Sequence, residues 1–263
     1  MLTLSYKVTF MIRTFYFSPS GTTKKIAEFL STEIDNEVKL YDITRAESKE
    51  TENFPAKDIF LFLTPVYGGR IPKLAKERLQ SIKGKGQKAI AVVVYGNRDY
   101  DDALLELSDL VKEQGFEIVG AAAFIAQHCI FPKVATNRPD EEDISKIKQF
   151  AHQVKNSIKA GKTLPLEKIK GNRLYKKEGA VPIHPEADKK KCNECGTCID
   201  QCPTGAIDKT NPLLTDNTIC ISCCRCINLC PSNARSFHGL LYKIAGWKFV
   251  KDNTRRLEPE WFI

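Results

Sequence analysis

Eight of the ten cysteines in this 263-residue chain fall into two runs of identical spacing, and no other feature limits so tightly what the chain can become. The first run reads Cys192-x-x-Cys195-x-x-Cys198-x-x-x-Cys202-Pro203, the second Cys220-x-x-Cys223-x-x-Cys226-x-x-x-Cys230-Pro231. A cubane iron–sulfur cluster needs four thiolates at tetrahedral corners, and a tight Cys-x-x-Cys-x-x-Cys loop offers three of them to one face. The fourth cannot come from the same loop without strain, and in runs of this spacing it ligates the other cluster. The spacing assigns Cys192, Cys195, Cys198 and Cys230 to one [4Fe-4S] centre and Cys220, Cys223, Cys226 and Cys202 to a second. Zinc prefers two Cys-x-x-Cys pairs set well apart, without a third cysteine at the same short step and a closing Cys-Pro. A disulfide framework belongs to an oxidising compartment, and the start, Met1-Leu-Thr-Leu-Ser-Tyr-Lys, has no continuous apolar signal region. Cys224 adjoins Cys223, but only Cys223 keeps the two-residue gap to both Cys220 and Cys226. Cys129 lies outside both runs.

Residues 188–238 resemble a two-cluster bacterial-type ferredoxin, which implies two [4Fe-4S] clusters each passing one electron at a time. That stretch uses about a fifth of the chain, so the N-terminal part is large enough to bury a core of its own. No run of 18 apolar residues is present, so no transmembrane segment is expected and the chain reads as soluble and cytoplasmic. The formal charge of +8 counts cysteines as thiols. Two oxidised clusters with their thiolates bring it to about +4. The lysines are scattered through helical patterns, so no nucleic-acid partner is expected.

Residues 12–17, Ile-Arg-Thr-Phe-Tyr-Phe, read as a strand. Met11 directly precedes it, which leaves residues 1–10 as an extension or an upstream start. Next come Ser18-Pro19-Ser20-Gly21-Thr22-Thr23 and a helix opening at Lys24. A strand, a hydroxyl-rich loop and a helix N-terminus form an anion site, although such a loop can equally be a plain helix cap. It is not a Walker loop, since the Gly-x-x-x-x-Gly-Lys frame is absent. Further strands are expected at 38–41, 58–63, 88–95 and 117–126, with helices ending near Ile82 and Gly115 and a last helix from Asp143 to about Ala160. Five buried strands alternating with helices predict an α/β, doubly wound, parallel five-stranded sheet, followed by a C-terminal α+β two-cluster unit. In such sheets ligands bind at the carboxyl ends of the strands, near the switch point.

Residues 12–160 resemble a flavodoxin domain, because Ser18-Pro-Ser-Gly-Thr-Thr fits the family's phosphate loop, [Ser/Thr]-x-[Ser/Thr]-Gly-x-Thr. The implied cofactor is FMN. The resemblance makes Ser18, Ser20, Gly21, Thr22 and Thr23 phosphate donors. It places Thr64, Pro65, Val66, Tyr67, Gly68 and Gly69 on one isoalloxazine loop and Tyr95, Gly96, Asn97 and Tyr100 on the other. Gly96 and Asn97 are expected at the pyrimidine edge, and Tyr100 stacked on the ring. For Tyr67 and Tyr100 the alternative is ordinary loop packing. Arg70 and Arg98 depart from the acidic surroundings usual in small flavodoxins. They read either as solvated charge or as cations facing a reduced flavin or an acidic substrate. His128 reads as a structural histidine or a proton relay, and Cys129 as a small apolar filler.

The expected boundaries are a flavodoxin-like domain over 1–165, a linker over 166–187, a ferredoxin domain over 188–240 and a tail over 241–263 packing between the domains. The aromatics of the tail also fit an amphipathic membrane-surface segment. Domain order, the Tyr95-Gly-Asn-Arg-Asp-Tyr-Asp-Asp-Ala stretch and the Trp-Phe-Ile end together resemble the EFR1-type flavodoxin–ferredoxin fusion proteins of anaerobes. The resemblance implies an electron-transfer protein joining two clusters to FMN, with a redox protein as donor or acceptor. The alternatives are an FMN-dependent reductase of a small-molecule substrate and a redox-sensing module. A roomy cleft over Tyr67, Arg70 and Arg98 would favour the reductase, and a flavin edge covered by the ferredoxin unit would favour the carrier. No Gly-x-Gly-x-x-Gly nicotinamide fingerprint occurs.

Overall fold

Near-continuous apolar runs can be strands only if both of their faces are covered, and that is how they are used. The computed structural model describes residues 10–45, 54–179 and 181–263. The expectation for residues 1–10 therefore falls, Phe10 apart, outside the described residues. The chain runs β1 (Ile12–Tyr16), α1 (Thr22–Ile34), β2 (Val38–Asp42), β3 (Ile59–Pro65), α2 (Lys73–Leu79), β4 (Lys88–Tyr95), α3 (Ala103–Glu113), β5 (Glu117–Ile125) and α4 (Glu141–Lys159). These strands are parallel in the order β2-β1-β3-β4-β5. The order reverses between β1 and β3, so the loops after them open on a common crevice.

Two apolar layers cover the sheet. On one face Phe15, Phe60 and Phe62 pack with Phe116 and with Leu104, Leu107 and Leu110 of α3. On the other, Ile26 and Leu30 of α1 and Phe150 and Val154 of α4 close over Leu61, Leu63, Val92 and Phe124. Helix α4 begins with a capping box, in which the Asp140 and Asp143 side chains satisfy each other's backbone amides.

The next elements are β6 (Glu186–Ala187), α5 (Thr197–Asp200), α6 (Arg225–Asn228), β7 (Arg235–Ser236), α7 (Gly239–Asp252) and β8 (Glu260–Phe262). Strands β6 and β7 pair antiparallel and close the cysteine-bearing unit. Helix α5 opens on left-handed Gly196 and α6 on left-handed Cys224. Cys224 thus stands where the first run has its glycine, a position that costs a non-glycine residue about 1 kcal/mol.

Two expectations are corrected. The sheet has six strands, because β8 adds antiparallel to β5, pairing Ala121 with Phe262 and Ala123 with Glu260. The chain end therefore returns to the first domain and covers its open edge, a placement that protects an otherwise unpaired strand. A three-residue strand is too short to show a period in sequence. The expected linker is also largely tied down. Leu164, Leu166 and Ile169 are buried in the α3-side core. The Asp102 carboxylate accepts from the amides of Asn172 (2.8 Å) and Lys176 (2.6 Å). Isolated apolar anchors in an aperiodic stretch give no pattern to read.

Helix α7 turns Tyr242 and Phe249 onto Phe131. Its other side leaves Leu240, Leu241, Ile244 and Trp247 exposed. No helix among the described residues is long and apolar enough to cross a membrane.

Candidate electron-transfer site

The eight cysteines of the two runs line two cavities. One is bordered by Cys202, Cys220, Cys223 and Cys226, the other by Cys192, Cys195, Cys198 and Cys230. In each, three cysteines come from one run and the fourth from the other. The geometry repeats in its detail, because Cys202 Sγ accepts from the Ala206 amide (3.3 Å) and Cys230 Sγ from the Ala234 amide (3.2 Å). Despite burial, the Ser232 hydroxyl and the Ala234 amide lower the pKa of the Cys230 thiol. Burial pushes the Cys223 thiol well up and the Cys226 thiol to about 12, so these groups become ligands only where a cation compensates them.

One side chain that sequence reasoning missed borders both cavities. Arg235 is 3% exposed and sends its guanidinium N–H groups to Thr215 Oγ1 (2.8 Å) and the carbonyls of Pro212 (2.5 Å) and Pro185 (3.4 Å). Among the described residues its Nε has no hydrogen-bond partner. A buried cation held only by neutral acceptors calls for nearby negative charge. The residues fit an anionic iron–sulfur centre in each cavity: four sulfur donors, N–H groups aimed at two of them, and an uncompensated cation beside both. The signal in sequence was an asymmetry between the repeats, since the fifth residue after the closing cysteine is Ile207 in one and Arg235 in the other.

The loop after β1 is built as an N-terminal helix cradle. Gly21 has φ +88°, and a Cβ there would meet nothing within 4 Å. Ser18 Oγ accepts from the Lys24 amide (2.8 Å), and the Ser18 amide donates to Thr44 Oγ1 (2.7 Å). Ser20 and Thr22 hydroxyls pair at 3.1 Å. The Thr22 and Thr23 amides belong to the first turn, where a helix offers them no acceptor. Two hydroxyls here are orphans: Thr23 Oγ1 and, at the end of β3, Thr64 Oγ1 are buried without partners among the described residues. An unpaired buried hydroxyl costs about 1–3 kcal/mol, so the pair marks where a polar ligand fits. These residues suit the phosphate and polyol of a flavin mononucleotide.

After Thr64, Pro65 and Val66, the second loop turns tightly. Tyr67 and Arg70 exchange backbone hydrogen bonds (2.9 and 3.2 Å) around Gly68 and Gly69, both with positive φ. A turn of this kind excludes side chains at its centre. Tyr67 faces the cysteine-bearing unit. Burial, and then the thiols of Cys223, Cys129, Cys224 and Cys220, push its phenol well above the ordinary range.

The third loop departs from expectation. Tyr100 is 1% exposed, its phenol donates to Glu260 Oε2 (2.6 Å), and its ring lies between Tyr95 and the Lys170 ammonium. It packs the core instead of presenting a face to a ring cofactor. The Asn97 amide donates to the Asn253 and Arg255 carbonyls, and its Oδ1 accepts from the Leu257 amide and Arg138. Asn97 thus holds the C-terminal tail. Gly96 is required by His128, whose Cδ2 would lie 2.5 Å from a Cβ there.

The cations depart as well. Arg70 makes a bidentate pair with Glu106 (both 2.7 Å) and donates to the Lys176 carbonyl, which removes it from solvent and from any substrate. Arg98 pairs with Asp101. His128 Nδ1 accepts from the Phe131 amide (3.1 Å), and burial plus the Arg98 charge lower its pKa to about 4. It is a neutral packing residue against Phe131 and Phe249.

The two units meet at these loops. Asn228 Nδ2 donates to the Ser20 carbonyl (3.0 Å), and Arg78 donates to the Pro203 carbonyl (3.0 Å) as well as to Ile43 (2.7 Å). The cavity bordered by Cys202 and Cys223 therefore abuts the first unit.

Residues 14–103 match the flavodoxin domain family, and residues 185–208 match the 4Fe-4S binding domain family. An uncharacterized protein of Methanocaldococcus jannaschii is 28% identical over 138 residues, 50% of this chain and 89% of that one. Among solved structures, a flavodoxin from the domain Archaea is 16% identical with TM-score 0.42, over 57% of this chain and 99% of that one. Flavodoxin 2 of Bacillus cereus is 23% identical with TM-score 0.44, over 56% and 98%. An NADH:FMN oxidoreductase in its apo form is 16% identical with TM-score 0.45, over 57% and 90%. The flavodoxin and 4Fe-4S domain matches support an electron-transfer protein of the FMN and iron–sulfur class. A flavodoxin domain towards the N-terminus and a 4Fe-4S motif near the C-terminus are consistent with a flavodoxin–ferredoxin fusion.

Proposed function

We propose that the chain is an electron relay of the EFR1 type, in which two [4Fe-4S] clusters exchange electrons with FMN inside one molecule. Cys202, Cys220, Cys223 and Cys226 hold the cluster nearer the flavin loops, and Cys192, Cys195, Cys198 and Cys230 hold the farther one. FMN, when bound, supplies a carrier that takes electrons singly or in pairs, so one-electron and two-electron chemistry meet in the chain. The chain's own residues do the positioning. The amides opening α1, with Ser18, Ser20, Thr22 and Thr23, bind the phosphate, and Thr64 binds the polyol. Tyr67 and its glycine turn border the ring and shield it from water.

The observation that carries this reading is the contact between the units: Asn228 of the cysteine-bearing unit donates to the Ser20 carbonyl in the loop that opens α1, and Arg78 of α2 donates to the Pro203 carbonyl beside Cys202. Flavin loops met by the cysteine-bearing unit favour a relay over a reductase built around a separate substrate cleft. The pairing of Arg70 with Glu106 points the same way. The external donor or acceptor is then another redox protein.

The test is an anaerobic reductive titration of the purified chain, with iron, sulfide and FMN assayed on the same sample. The expected result is about eight irons, one FMN and about four electrons taken up per chain. Full cluster content with no FMN retained after reconstitution would leave a ferredoxin carried on an α/β docking domain, and would end the relay reading.

A further inference from the structure

Arg235 stands apart from the other buried arginines among the described residues, Arg70 and Arg138. Arg70 is paired with Glu106 and Arg138 with Asp143, each through two guanidinium nitrogens. Arg235 is as deeply buried, yet among the described residues its partners are two proline carbonyls, Pro212 at 2.5 Å and Pro185 at 3.4 Å, and the Thr215 hydroxyl, and its Nε has none. A full positive charge without a carboxylate in such a place costs several kcal/mol. Evolution of a stable core would place an apolar residue there, and the other repeat does so with Ile207, buried to the same degree. The residue borders the cavity of Cys202, Cys220, Cys223 and Cys226 and also the cavity of Cys192, Cys195, Cys198 and Cys230.

We propose that Arg235 is the shared counter-ion of the two clusters and raises the reduction potentials of both. The inference rests on the two-cluster reading above and adds to it a residue that is not a ligand. Each cluster gains one negative charge when it accepts an electron. A fixed cation in a low-dielectric site stabilises that charge far more than it would in water. Because Arg235 borders both cavities, its charge acts on both steps of the relay, and being buried it is little screened by salt. The net reaction is unchanged: one electron enters each cluster from the external donor, and Arg235 supplies charge beside the clusters without taking part in the transfer.

The test is potentiometry of the holo protein with iron assayed on every sample, comparing Arg235→Ile, Arg235→Met and Arg235→Lys with the parent chain. Arg235→Ile copies the residue that the other repeat carries at this position. The expected result is about eight irons in each variant. Both clusters become at least tenfold harder to reduce in Arg235→Ile and Arg235→Met, which is about 59 mV for a one-electron couple. In Arg235→Lys the shift is smaller, and the difference between Lys and Met persists from low to high salt. Unchanged potentials at full iron content overturn the proposal, as does a shift confined to one cluster. If Arg235→Ile and Arg235→Met lose iron, Arg235→Lys decides: parent-like potentials support the counter-ion, and potentials displaced despite the retained charge overturn it. A parent chain holding only about four irons would instead sink the two-cluster reading, which the same assay reports separately.

Discussion

Asn228 donates its side-chain amide to the backbone carbonyl of Ser20 at 3.0 Å, across 208 residues of sequence. Helix α6, which carries Cys226, the third cysteine of the second run, is thereby fastened to the loop that opens α1. An exposed hydrogen bond of this kind contributes about 1 kcal/mol. Asn228→Ala should leave global stability within about that margin while slowing electron passage between the units. Rapid-mixing spectroscopy that follows flavin reduction after the clusters are filled checks this. An unchanged rate would show that the contact plays no part in coupling.

Thr23 presents a sharper case, because its hydroxyl is buried and unpartnered. Thr23→Val keeps the shape and removes the orphan, so the FMN-free chain should be equally stable or gain up to about 1 kcal/mol. FMN binding should weaken at least tenfold, a loss of about 1.4 kcal/mol. Urea titration of the flavin-free chain and fluorescence titration with FMN measure the two arms.

Glycines 21 and 69 both have positive φ but differ in their surroundings. At Gly21 a Cβ meets open space, whereas at Gly69 it would overlap the Asp101 carboxylate. Gly21→Ala should cost about 1–2 kcal/mol from backbone strain alone. Gly69→Ala should cost more, roughly 3 kcal/mol, because steric conflict adds to the strain. Thermal denaturation of the two variants side by side gives the order.

His128 titrates near 4 in the folded chain and near 6.5 when unfolded. Its neutral form is the one that packs, so its contribution is fully present above about pH 6.5 and is lost as pH falls toward 4. At pH 5.5 the loss amounts to about 1.4 kcal/mol. His128→Leu should flatten the fall in stability between pH 7.5 and 5.5 by about that amount, read as the difference between the two pH profiles.

Crossed ligation has its own signature. Cys202→Ser and Cys226→Ser should remove the same cluster signal, and Cys230→Ser and Cys195→Ser the other, each leaving about four irons. Ligation within each run would pair Cys202 with Cys195 instead. Electron paramagnetic resonance of the reduced variants distinguishes the two patterns.

Much of this was legible in the chain itself, for a physical reason. A cluster ligand loop is local, so Cys-x-x-Cys-x-x-Cys announces itself within seven residues. The glycine and hydroxyls of residues 18–23 announce an anion cradle within six. Strands buried on both faces must be near-continuously apolar, which made β3 and β4 plain. The tertiary structure alone decided which polar groups meet. Tyr100 lost its expected role because Glu260, 160 residues away, claims its phenol. Arg70 lost its own because Glu106 lies under it, and Asn97 because the returning tail binds it. The three-residue β8 and the placement of Arg235 between two cavities have no local pattern. Local spacing encodes what one loop can ligate or cap. Partners distant in sequence are selected only when packing removes them from water and each buried donor must find an acceptor.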